Sequence, residues 1–273
     1  MFVPALLWLL LSQPGHLPES PPDPRTFAES VRRGLSVGFR TQQDFAYLER
    51  RREVDVSLLG KVTLGPLRTF EVFPGEAAGE VRKRLIEVDG KPLDPAELAR
   101  REAEHERNVR RAAERRRRET ASQRASRLQA EEEERREREA ILDDAVAVFE
   151  PSFAGRDVVD GQAVWIVDLR PRPDAGVRTR EGAWMQHFAG RIWVSAADHQ
   201  IVRLDMRAVR DVTIGWGVIG RIDTGSRVFF RRQRVEGTWL PAELTYEGTG
   251  RTLLVRPFAV VATTTYSGYR RVR

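Results

Sequence analysis

The sequence predicts a mainly β protein, a large barrel or strongly curved antiparallel sheet, interrupted by a long helical insert. Three observations predict it. Short strand patterns separated by tight Gly turns fill most of the 273 residues, with almost no helix among them. Several of these patterns alternate between apolar and polar residues, which marks a sheet with one face buried and one wet. Between Asp94 and about Asp143 the pattern changes to a charge-saturated stretch of Glu, Arg and Ala. At 41% hydrophobic residues the chain can build one large β domain around that insert.

Residues 2–11, from Phe2 to Leu11, form an apolar run too short to cross a bilayer but of signal-peptide length. No Lys or Arg precedes the run and no clean small-x-small site follows it, so a buried N-terminal segment or a misassigned start stays open. Pro14, Pro18, Pro21, Pro22 and Pro24 then read as an extended linker. On this reading residues 1–20 are a signal-like segment, the mature chain begins between Ser12 and Ser20, and the protein is periplasmic and soluble, with no transmembrane span. Thr26 to about Gly38 reads as an amphipathic helix with Phe27, Val31 and Leu35 on one face.

Strand patterns follow at Phe45–Val56, Pro66–Phe73 and Val81–Val88. After the insert come Val146–Val158, a hairpin turn at Asp160-Gly161, and Ala163–Leu169. A polar loop, Pro171–Gly182, precedes Gly190–Ser195, Ile201–Val209, Val212–Ile222, Arg227–Val235, Thr238–Glu247 and Thr252–Tyr269, the last bent or split at Pro257. Val202, Leu204, Met206 and Ala208 are expected on one face, with Arg203, Asp205 and Arg207 on the other. The parts are therefore 21–93 and 144–273 for the β domain and 94–143 for the insert.

The insert opens on a strong helix start: an Asp94 cap, Pro95 at the first helical position and Glu97 three residues after the cap. Glu precedes Arg by four at Glu97/Arg101, Glu106/Arg110, Glu114/Arg118, Glu131/Arg135, Glu132/Arg136 and Glu134/Arg138, the favourable order. Leu98, Val109 and Leu128 are its only large aliphatics before Ile141, so there is no coiled-coil seam. One straight helix of about 45 residues would span about 65–70 Å, too far for a domain this size. Two helices in a hairpin are expected, bent near Thr120–Ser126.

Most catalytic and cofactor chemistry finds no support. Cysteine is absent, which removes disulfides, thiolate metal sites and a Cys nucleophile. The four histidines share no metal-binding spacing, although His187 and His199 flank one predicted hairpin. Gly215 to Gly220 matches Gly-x-Gly-x-x-Gly, but no helix pattern follows, so a strand with glycines is the reading rather than a dinucleotide site. No nucleophile or P-loop motif is present. From Pro95 to Glu139 there are 14 Arg and 12 Glu and no aromatic, which argues against a nucleic-acid site. The expectation is no enzyme, no cofactor and no metal. What stands out is apolar excess: Ala163 to Val167 is apolar on both faces and Phe258 to Ala262 nearly so, which requires cover on the second face by helices, another sheet or a ligand.

Four stretches carry a family resemblance. Asp160 to Asp168 resembles the Asp-Gly hairpin strand of LolA-like proteins, and Gly190 to Arg203 looks like their Trp-bearing hairpin. Gly237-Thr238-Trp239-Leu240-Pro241 resembles their Gly-x-Trp-x-Pro turn, and Tyr266-Ser267-Gly268-Tyr269 the closing Tyr-Ser-x-Tyr. Together they cover about Val146–Arg273; Phe45 to Arg52 and the insert look like a subgroup of exported bacterial proteins. The resemblance implies a curved antiparallel half-barrel of roughly ten or eleven strands, whose helix-covered concave face can hold acyl chains or other apolar ligands. LolA itself ferries lipoproteins across the periplasm. The long polar insert departs from that pattern, and no LolA functional residue maps to a position here. The resulting expectation is an exported carrier or binding protein for a lipid, acyl chain or lipoprotein. Trp165, Val167, Trp193 and Phe258 would form the concave wall, with Phe27, Val31 and Leu35 as the cover. An envelope adaptor that docks a protein partner through the insert, with a filled core, is the alternative.

Overall fold

A sheet that runs from one free edge to another organises the molecule. The computed structural model describes residues 23–57, 59, 61–75, 81–214, 220–252 and 256–272. The signal-like segment and most of the Gly-x-Gly-x-x-Gly match lie outside the described residues. The first described element is α1 (Pro24–Gln42), then β1 (Phe45–Val56), β2 (Val62–Pro74), β3 (Val81–Val88) and β4 (Lys91–Pro92). The insert follows as α2 (Pro95–Arg117) and α3 (Ala121–Val148). Then come β5 (Phe149–Val159), β6 (Gln162–Pro171), α4 (Arg180–Met185), β7 (Phe188–Ser195), β8 (Ile201–Ala208), β9 (Val212–Ile214), β10 (Gly220–Ile222), β11 (Arg227–Val235), β12 (Thr238–Thr252) and β13 (Arg256–Arg271).

All described pairings are antiparallel, in the order β4-β3-β2-β1-β13-β12-β11-β8-β7-β6-β5, with β10 joining β12 and β9 joining β10. The sheet is open, with a few helices, in keeping with a curved half-barrel. Thirteen strands replace the expected ten or eleven because β4 was unread and Val212–Ile222 is two short strands. The turns that fix register are two-residue hairpins. Asp160 and Gly161 have φ of 48° and 72°, and Asp89-Gly90 and Glu236-Gly237 repeat that pair of positive values. Glycine suits the second of these positions, and Asp tolerates the first.

The insert divides where helix-forming sequence gives way to a cap. Helix α2 ends at Arg117, and Thr120 starts α3 with a capping box: its Oγ1 accepts from the Gln123 amide at 3.2 Å, and the Gln123 side chain accepts from the Thr120 amide at 2.9 Å. The break therefore falls at 118–120, and 121–126 is the first turn of a new helix rather than a bend. Helix α3 also runs further than expected, since Val146–Val148, read as strand, is its last turn. Ile141, Leu142, Ala145 and Val146 repeat at helical spacing, which suits a helix with one apolar face better than a strand. Because β4 and β5 are the two edges of the sheet, α2 and α3 carry the chain from one edge to the other.

Strand β8 departs from simple alternation. Ile192 pairs with Leu204 and Trp193 with Arg203, but Val194 pairs with Ile201, a bulge that leaves Val202 over. Leu204 and Ile201 pack with the cluster under α1, while Val202 packs with Val164, Trp193 and Trp239. Val202 thus leaves the face it was expected to share with Leu204.

Candidate functional site: a roofed apolar cavity

The concave wall starts in β6. Trp165 and Val167 face α1 and pack with Phe27, Val31, Ile192 and Val194, and Val167 and Val194 are fully buried. Phe27 meets Phe153 edge-on at 5.0 Å and His199 at 6.2 Å. The other side of β6, Val164 and Ile166, is covered too, by Trp193, Val202 and Trp239. Helix α1 approaches so closely that a side chain at Gly34 would come within 2.6 Å of the His199 carbonyl oxygen. One turn on, Gly38 sits against Gln200 and buried Arg232, whose Nη1 donates to Gln200 Oε1 at 2.9 Å. Burial pushes the Arg232 pKa down.

Beyond that contact the roof lifts off the sheet and leaves a cavity of about 540 Å³. Phe27, Val31 and Leu35 enter it from α1, Ile141, Leu142, Ala145 and Val146 from α3, and Trp184 and Met185 from α4. The floor is sheet: Leu169, Ile192, Leu204, Met206 and Val228. Among the described residues that line it, Glu181 is the only charged one. The volume lies in the range typical of sites for small organic ligands, about 300–1,000 Å³.

Two adjacent carboxylates clamp the three roofing helices together. Asp143 accepts from Arg32 Nε of α1 at 2.6 Å and from Arg178, just before α4, at 3.1 Å. Asp144 is buried and accepts from the Thr179 hydroxyl at 2.6 Å, the Thr179 amide at 2.7 Å and the Arg178 amide at 3.0 Å. The Thr179 hydroxyl in turn accepts from the Gly182 amide at 2.9 Å and caps α4. A side chain at Gly182 would fall on the Asp144 carboxylate. Burial alone would raise the Asp144 pKa; the bonds from Thr179 and Arg178 outweigh it and hold the carboxyl below its ordinary range.

The expected site residues divide between these surroundings. Phe27, Val31 and Leu35 line the cavity, and Trp165 and Val167 lie beneath α1 as packing rather than lining. Trp193 is not on this wall. It pairs with Ile166 and lies on the opposite face, with the Arg203 guanidinium 4.3 Å from its ring centre. Phe258, half-buried, sits opposite Gly250 in the β12–β13 pair and outside the residues that line the cavity. The contributions of α3 and α4 were unread. The spacing of Ile141, Leu142, Ala145 and Val146 was a signal for the first; Trp184-Met185, just after the polar loop Pro171–Gly182, was a weak one for the second.

Among the described residues, no group of three or more His, Asp and Glu could hold a metal ion. His187 precedes β7 and His199 lies in the turn after it, so the two histidines sit at opposite ends of the hairpin. No described helix is long and apolar enough to cross a membrane. A second cleft, of about 1050 Å³, lies between α2 and the end of β2 and is lined by charged residues including Glu102, Glu106 and Arg110.

No family model and no curated protein matches the sequence. Among solved structures, the chain is similar to a DUF1329 family protein from Desulfovibrio piger, at 11% identity over 92% of this chain and 94% of that one, with a TM-score of 0.32. It is similar to a LolA superfamily protein from Nitrosomonas europaea, at 8% identity over 93% and 95%, with a TM-score of 0.29. A Vibrio parahaemolyticus domain described as outer membrane lipoprotein-sorting aligns at 7% identity over 91% and 93%, with a TM-score of 0.32. At these scores the similarities carry no argument about the site, which stands on its own geometry.

Proposed function

We propose that the protein binds an apolar ligand, a lipid or acyl chain, in the cavity beneath α1, α3 and α4, and serves as a LolA-like carrier or binding protein in the cell envelope. The observation that carries this reading is the cavity's lining: helices from three parts of the chain converge over the sheet, yet leave about 540 Å³ whose described lining is apolar but for Glu181. Burying apolar surface is worth roughly 25 cal/mol per Å², so one acyl chain reaches micromolar affinity after the cost of association. The adaptor alternative called for a filled core and apolar residues on the insert. Helix α2 has no buried residues, and Leu128 of α3 is half-exposed. Export remains a proposal that rests on residues 2–11.

The test uses one substitution at two places on one helix. Leu142→Glu puts a carboxylate into the cavity; Leu128→Glu puts it on the exposed part of α3. Titration with a fluorescent fatty acid should saturate for the wild type and Leu128→Glu and fail for Leu142→Glu. Absence of saturable binding by the wild type, or equal binding by both variants, defeats the reading.

A further inference from the structure

The near-neutral charge of the insert conceals a segregation. Residues 107–127, which end α2 and begin α3, hold nine arginines and two glutamates. The flanking parts of the same helices reverse the balance, with four Glu and two Arg over 95–106 and six Glu and three Arg over 128–139. In 107–127 every residue is exposed except Ala112, Glu119 and Arg127, which are half-buried. Arg107, Arg111, Arg115, Arg117 and Arg118 form no ion pair with a carboxylate among the described residues. In the acidic stretch, by contrast, Arg135 pairs with Glu132 at 2.7 Å and Glu139 at 3.0 Å, and Arg136 with Glu132 at 2.9 Å.

We infer that the α2–α3 junction is a docking surface for anionic lipid headgroups at a membrane surface. A cluster of four to eight basic side chains is about what such recognition uses, and its attraction falls off within a Debye length. Guanidinium groups also suit phosphate oxygens geometrically. The placement links this surface to the cavity. Helix α3 begins at the junction, and about 30 Å further along it, at 1.5 Å per residue, Ile141 and Leu142 enter the cavity. A membrane is chosen over nucleic acid for two reasons. The stretch contains no aromatic residue on which bases could stack. An apolar cargo must also be taken from or handed to a bilayer, and that second reason rests on the function proposed above.

The experiment is flotation of the full chain with phosphatidylcholine vesicles, with and without phosphatidylglycerol. The wild type should float only with the anionic vesicles and be released at high salt. Arg115→Gln/Arg117→Gln/Arg118→Gln should lower vesicle affinity at least about tenfold. The matched Arg135→Gln/Arg136→Gln/Arg138→Gln variant should keep it, with circular dichroism confirming that both stay helical. Fatty-acid titration is run in parallel on the wild type and the junction variant, where equal affinity is expected. Anionic-vesicle flotation of the wild type without saturable fatty-acid binding would count against the cavity reading alone, and unchanged flotation of the junction variant would overturn the docking inference. Equal flotation with neutral vesicles, equal loss in both triple variants, or retention by a DNA duplex in place of anionic vesicles would overturn the inference.

Discussion

The two ends of the sheet meet the same steric demands with opposite chemistry. In the β6–β7 region both faces are apolar: Val167 and Val194 are buried under α1, and Val164 is buried with Trp239 on the other side. In the β1–β3 region ion pairs occur on both faces, beside buried Phe45, Tyr47 and Val72. Buried Glu49 takes Lys83 at 2.8 Å and Arg51 at 3.3 Å, while Arg84 pairs with Glu71 on the other face. Helix α2 meets that region through Glu102 with Arg82 and Arg84. The difference teaches where cover comes from. Where three helices roof the sheet, the strands can be apolar on both sides; where the neighbour is a polar helix, partly buried ion pairs replace hydrophobic contact.

The largest expected effect breaks the apolar half. Val167→Asp places an unpaired carboxylate in a fully buried site and should cost about 4 kcal/mol or more. In the charged half, Glu49→Gln should cost only about 1–3 kcal/mol, because Lys83 and Arg51 keep access to solvent. Chemical denaturation of both variants checks the contrast; equal losses would break it.

Next in size is the clamp. Asp144→Ala removes the acceptor for three buried or capping donors and should cost about 2–4 kcal/mol. Its folded-state pKa is depressed, so its contribution is complete above the ordinary Asp value of about 3.9 and is lost as the pH falls through the depressed one. An acid titration of stability should therefore show a wild-type decline below about pH 4 that Asp144→Ala lacks in part.

How much of this was legible in the sequence follows from the same contrast. Alternation and hairpin turns placed β1 and β3 at their observed bounds and put Trp165 and Val167 on the side facing α1. The Phe27, Val31, Leu35 stripe was legible as one apolar face of a helix, and those three residues border the cavity. What escaped depends on tertiary context. The β8 bulge that turns Val202 away has no local signature, since the residues around it alternate cleanly. Trp193 went to the far face by register with Ile166, and an apolar residue suits either side of a doubly covered strand. Helix α4 is six residues held by Asp144 from another element, so its own sequence reads as loop.

The smallest effect sharpens the picture of the insert. Thr120→Ala removes the cap of α3 at an exposed junction and should cost about 1 kcal/mol or less, without changing ligand affinity. A fall in affinity would show that the junction and the cavity are coupled through α3.

The most direct measurement locates the ligand. Among the described tryptophans, Trp184 lines the cavity, Trp165 packs directly behind its lining against Phe27 and Val31, and Trp193 and Trp239 lie on the other face of β6. A fatty acid brominated along its chain should quench the wild-type tryptophan fluorescence saturably, and Trp184→Phe should lower that quenching measurably while binding persists by competition. No quenching in the wild type, or quenching undiminished in Trp184→Phe, would contradict a ligand held beneath α1, α3 and α4.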